Sequence, residues 1–160
     1  MQWKIFLLFG LLISSHLDGA TQQKFDKAFF YNVMASGDTV AINKEIKIVQ
    51  ESSLNNKEGY VGALLMKKAS FVVKAKKKLK YFKEGGIKLE TALRADSNNT
   101  EFHFLRLAIQ EHAPKIIKYH SDLEKDKLFI QKNFKSLSSP VQNAILDYCK
   151  NSKVIHAEDF

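Results

Sequence analysis

The chain has 160 residues, 45% hydrophobic and 26% charged, with a formal net charge of +8 and a single cysteine, Cys149. That length suits one domain with one hydrophobic core, and a lone cysteine excludes an intrachain disulfide and any paired-cysteine site. The charge is localised: ten lysines stand against two glutamates between Lys57 and Lys88, which accounts for the whole excess, while the rest of the chain sets 15 basic residues against 15 acidic ones.

The N-terminus reads as an export signal. Lys4 supplies positive charge, Ile5 to Ile13 is apolar, and Ala20 is a small residue before a cut. Asp18 fits poorly three positions before that cut, and a retained membrane anchor is the rival reading. The apolar run is shorter than the roughly 20 residues of a transmembrane helix, so no transmembrane segment is expected after cleavage. The expected layout is a signal peptide over 1–20, a single helical domain over 21–152 and a short, frayed tail over 153–160.

Helical spacing recurs along the chain and strand alternation does not, so an all-α fold of about seven helices is expected. The first helix, over 24–35, places Phe25, Ala28, Phe29 and Val33 on one stripe. Gly37 suits a left-handed C-terminal turn, and Asp38 can cap a second helix facing inward with Ile42, Ile46 and Val49. After a loop or ragged start at "SSLNNKEG", a third helix covers 58–73.

The fourth helix has the clearest seam. Ala75, Leu79, Phe82, Gly86, Leu89 and Leu93 recur at spacings of four and three, with Lys74, Lys77, Lys78 and Lys88 off that seam. Gly85 and Gly86 each cost roughly 1 kcal/mol inside a helix. They mark either a close approach to a neighbour or a break. "DSNN" (96–99) is a turn, and "NNT" within it (98–100) reads as turn and cap, although it also fits a glycosylation triplet.

A fifth helix follows and is interrupted at Pro114. "SDLE" has capping-box spacing from Ser121 to Glu124, with Leu123, Leu128, Phe129 and Phe134 as apolar contacts beyond it. Pro140 suits the first position of the last helix, where Val141, Ile145 and Cys149 share a face, so Cys149 is expected to be a small core residue.

"GGIKLETALRADSNN" resembles the second helix and exit turn of a tetratricopeptide repeat. Gly85, Leu89 and Ala92 match the family's spacing, and Ser97 stands where the family has proline. The preceding helix lacks the family's Trp, Leu, Gly, Tyr spacing, and the likeness covers at most two or three degenerate units. It implies stacked antiparallel helical hairpins, a TPR-like solenoid fragment, whose concave faces commonly bind peptides or partner domains. The whole chain also resembles short exported helical proteins of Gram-negative bacteria of uncharacterised function. The shared features are the signal peptide, "YVGALLMKKA", "KLKYFKEGGIKLETAL" and "EFHFLRLAIQEHAP". That likeness implies an exported address, periplasmic or secreted, and no activity.

The histidines invite a metal reading. Nine residues separate His103 from His112, which on a helix is about 900° of rotation and about 13 Å of rise, so they point to opposite sides. His120 lies beyond Pro114, and no H-x-x-x-H or H-E-x-x-H spacing exists. Glu111 beside His112 does not face it on a helix. Asp122, Glu124 and Asp126 lack the glycine and final glutamate of a calcium loop and suit a helix start instead. No phosphate loop or nucleophile elbow is present, and no catalytic, cofactor or metal residue is assigned.

Two sets of residues are candidates for partner binding. One is the lysine face Lys74, Lys77, Lys78 and Lys80; the alternative is an ordinary solvated helix face. Tyr81 and Phe82 could stack on bases, but Phe82 belongs to the seam, and an exported protein rarely meets nucleic acid. The other set is the polar stripe His103, Arg106 and Gln110; the alternative is a core-facing Arg106 paired with an acid. The expected function is an exported, non-enzymatic protein- or peptide-interaction module without cofactor. The alternatives are an anionic-surface binder acting through the Lys57 to Lys88 segment, and a small metal-dependent or metal-free hydrolase.

Overall fold

Aspartate side chains start the first two helices of the described chain. Asp26 accepts a hydrogen bond from the Phe29 N–H at 2.7 Å, and Asp38 accepts one from the Val40 N–H at 2.8 Å, each satisfying a donor that the first helical turn leaves open. The computed structural model describes residues 24–160. The expected signal peptide over 1–20, with Lys4, the apolar run 5–13 and Ala20, lies outside the described residues.

Among the described residues, seven α-helices follow in chain order: α1 (Lys27–Ala35), α2 (Thr39–Glu51), α3 (Lys57–Ser70), α4 (Ala75–Ala95), α5 (Thr100–His112), α6 (Leu123–Asn133) and α7 (Ser139–Cys149). Short 3-10 turns occupy Lys115–Ile117, Phe134–Ser136 and Ala157–Asp159. No strand occurs among the described residues, so the all-α class read from periodicity is what the structure shows. α5 is central: it packs against α3, α4, α6 and α7. α1 packs against α7, a contact between distant parts of the chain that a row of nearest-neighbour hairpins does not make. Phe30, Ile42, Leu64, Phe102, Leu105 and Ile145 are among the fully buried side chains that fill the space between these helices.

Glycine sets the closest packing. A Cβ on Gly62 would stand 2.7 Å from the Gly85 carbonyl oxygen, and one on Gly85 would stand 2.5 Å from the Gly62 carbonyl oxygen. The two residues let the α3 and α4 backbones touch, which is the close approach that makes glycine tolerable inside a helix. α4 therefore runs unbroken through Gly85 and Gly86.

Several local expectations are corrected. Gly37 has no positive φ; α1 ends instead at Ser36, in extended conformation, whose N–H bonds the Asn32 and Val33 carbonyls. A Cβ at Gly37 would meet the Phe71 ring at 3.2 Å, so its smallness serves packing. Ser121 does not cap α6: its hydroxyl donates to Asp122 Oδ2, and α6 begins at Leu123. Leu128 is exposed, and Ile130 fills the core in its place. In the apolar seam, Ala75 and Leu79 are exposed because the first turns of α4 lie beyond the packed interface, whereas Leu89 and Leu93 are buried.

The tail is docked, not frayed. Ile155 is fully buried, and the Phe160 ring lies 4.7 Å from that of Phe134. Cys149 is buried on the face of Val141 and Ile145, as expected, and burial followed by the nearby Asp159 charge pushes its thiol up to about 11.

Candidate functional site: an inner polar stripe and an outer basic face

α5 carries apolar residues around much of its circumference, and a helix of that kind must bury its polar residues as well. Asn99 caps it, accepting from the Phe102 N–H at 3.0 Å, which is the cap reading of "NNT". His103, Arg106 and Gln110, the expected polar stripe, are exposed to only 4%, 6% and 0%. The stripe faces the interior and is not offered to a partner.

Arg106 donates from Nε to Asp126 Oδ2 at 2.8 Å and from Nη2 to Asp126 Oδ1 at 2.7 Å, a two-point pair with a carboxylate that is itself fully buried. Its Nη1 donates to Glu90 Oε2 at 3.0 Å. Burial works against the guanidinium charge, but the hydrogen bonds and charge of Asp126, with Glu90 and Asp122, outweigh it and raise the Arg106 pKa. Gln110 closes the cluster, donating to Asp122 Oδ2 and accepting the Asp122 N–H, both at 3.1 Å.

His103 Nδ1 lies 2.6 Å from Asp126 Oδ1, and its Nε2 lies 2.9 Å from the Ser97 carbonyl oxygen. Both partners are acceptors, so the ring fills both bonds only when it carries two protons. Neither nitrogen is left to bind a metal.

Two glutamates complete the pattern: Glu101, which sequence reasoning passed over, and Glu111, which it weighed only against His112. Glu101 receives the Tyr31 and Tyr60 hydroxyls at 2.9 Å each and the Lys27 ammonium at 2.5 Å, joining α5 to α1 and α3. Burial, then the Glu101 charge, raises both tyrosine pKa values. Glu111 receives the Tyr148 hydroxyl at 2.6 Å, the Ser152 hydroxyl at 2.7 Å and the Lys153 N–H at 2.6 Å, joining α5 to α7 and the tail. Although burial alone would raise it, these three donors lower the Glu111 pKa. The signal available in the sequence was the spread of apolar residues over much of the α5 circumference, which forces polar residues to find partners.

His112 lies 3.3 Å from the Tyr148 hydroxyl through Nδ1, and His120 is 2.8 Å from the Ala113 carbonyl oxygen through Nε2. Among the described residues, no group of three or more His, Cys, Asp or Glu could hold a metal ion.

The outer surface differs. Lys74, at the N-cap of α4, and Lys77, Lys78 and Lys80, on its first turns, are all exposed. The Lys68 and Lys77 ammonium groups lie 4.4 and 5.7 Å from the Tyr81 ring centre, cation–π contacts that hold part of the basic surface in place. Farther along α4, an open cleft of about 770 Å³ separates the helix from residues 116–119. Leu79, Phe82 and Ile87 line one wall, and Ile116, Ile117 and Tyr119 the other. Among the described residues, no helix is long and apolar enough to cross a membrane.

Compared with known proteins, the chain matches no family model, no curated protein and no solved structure.

Proposed function

We propose that the chain is an exported, non-enzymatic interaction module, periplasmic or secreted, that binds a protein or peptide partner through the outer face of α4. One observation carries this reading. The lysines at 74, 77, 78 and 80 are exposed, with Lys80 on the side of α4 that leads through Lys83 to an apolar cleft, while the α5 polar groups are used up in holding helices together. Unused charge beside uncovered apolar surface is the usual composition of an interaction site. The test is capture of partners from the producing cell's envelope by the wild type and by a variant with Lys74, Lys77, Lys78 and Lys80 all changed to Gln. A partner held by the wild type and lost by the variant, with both proteins melting alike, is expected. A partner set unaffected by the substitutions contradicts the reading.

A lipid or polysaccharide surface is the second reading, favoured by the exposed Phe71 and Val73 at the α3–α4 turn beside the lysines. It predicts association that weakens steeply between low and physiological salt, since exposed charges are screened.

A further inference from the structure

The cleft beside α4 has largely apolar walls and is basic along one rim. Ile116 is 89% exposed and Ile87 68% exposed, so both walls present uncovered apolar side chains at their lips. Lys83 and Arg94 line the same cleft. Lys76 and Lys80 continue that rim, because Lys76, Lys80, Lys83 and Ile87 recur at spacings of four and three and so share one side of the helix. Within the described residues, none of Lys76, Lys80, Lys83 and Arg94 forms an ion pair.

The one acid lining the cleft among the described residues, Glu90, has both oxygens turned to other work. Oε1 accepts from the Tyr119 hydroxyl at 2.5 Å and Oε2 from Arg106 at 3.0 Å. Both of its oxygens are thus hydrogen-bonded from within, and against this one carboxylate the cleft and its rim set Lys76, Lys80, Lys83 and Arg94. From Leu79 to Arg94 the groove follows α4 for about 22 Å, the length of four helical turns.

We propose that this cleft docks an acidic amphipathic helix of a partner protein. The partner's leucine-like residues at every third and fourth position would enter between Phe82 and Ile117. Its acidic residues would meet Lys76, Lys80, Lys83 and Arg94. A helix laid in a groove buries one apolar stripe and keeps its charged flank at the rim, which is the shape and charge found here. An isolated acyl chain needs enclosure on most sides, and the cleft is open along its length. This inference rests on the interaction-module reading and names the partner's chemistry.

The test uses a fluorescent peptide of about 18 residues, helical by design, with leucine at every third and fourth position and glutamate at most others. Anisotropy is read against a scrambled peptide of the same composition. The expected result is saturable binding by the wild type, at least tenfold weaker binding of the scrambled peptide, and at least tenfold loss with Ile87→Glu or Ile116→Glu. Both substituted side chains are exposed, so the variants should melt like the wild type. Equal affinity for the scrambled peptide would overturn the groove and leave a lysine face that reads charge alone, so the broader reading survives. No peptide binding, with binding to phosphatidylglycerol vesicles that Ile116→Glu abolishes, would assign the cleft to a lipid surface. No peptide binding, with wild-type self-association that either variant abolishes, would assign it to a second copy of the chain.

Discussion

Glu45 is fully buried on α2, and neither carboxylate oxygen has a hydrogen-bond partner. Burial raises its pKa, the nearby Asp26 charge adds to the effect, and Lys44 opposes it. The folded chain thus holds this proton to higher pH than the unfolded chain does. The associated stability is fully present below the unfolded value, about 4.3, and is lost as pH rises through the folded value. Glu45→Met keeps the shape and removes the charge. It should stabilise the protein by about 1 kcal/mol or more near neutral pH and by much less near pH 4, read as urea midpoints at the two pH values. An equal gain at both pH values would show that the ionised carboxylate is not the source. The position was legible in part: Glu45 lies three residues after Ile42 and four before Val49, on the stripe the sequence assigns to the core. A buried acid on such a stripe is easily passed over, because spacing alone does not say that a stripe is closed on all sides.

At the scale of helices, spacing located the elements and glycine decided how they pack. The seam of α4 was readable, but whether Gly85 and Gly86 break the helix depends on what lies opposite, and Gly62 is on another helix. The two glycines should respond in opposite directions. Gly85→Ala forces a Cβ against the Gly62 backbone and should cost about 1–3 kcal/mol. Gly86→Ala meets nothing nearer than Met66 Cε at 3.6 Å. It should stabilise by up to about 1 kcal/mol through helix propensity. Thermal melts of the two variants check this, and a loss at Gly86 matching that at Gly85 would contradict the assigned contact. The capping box at Ser121 was misread for a similar reason. Asp122 takes the Ser121 hydroxyl itself and is held by Gln110 from α5, a partner that a four-residue window does not contain. The tail looked free because its anchors, Glu111 and Phe134, stand far back in the sequence.

Taken whole, the molecule is organised about α5, which sends a polar anchor in each direction. Glu101 ties it to α1 and α3, Arg106 and His103 to α4 and α6, and Glu111 to α7 and the tail. Burying charge costs free energy unless every member is paired, so these anchors hold a specific arrangement of helices even where apolar side chains would bind as tightly. The sequence set out the choice for Arg106, partner or core acid, but Asp126 lies 20 residues further along and only the fold brings it near. The lysine face was legible because exposure needs no partner. The molecule therefore divides into an inner polar stripe that maintains the fold and an outer basic face that the fold leaves exposed. Urea unfolding of Arg106→Ala beside the Lys74, Lys77, Lys78 and Lys80 to Gln variant tests that division directly. Loss of Arg106 should cost about 3–5 kcal/mol, since it takes two hydrogen bonds from the buried Asp126 and leaves it only His103. The lysine variant should stay within about 0.5 kcal/mol of the wild type. An Arg106→Ala protein that keeps the wild-type midpoint, or a lysine variant that unfolds, would contradict the account.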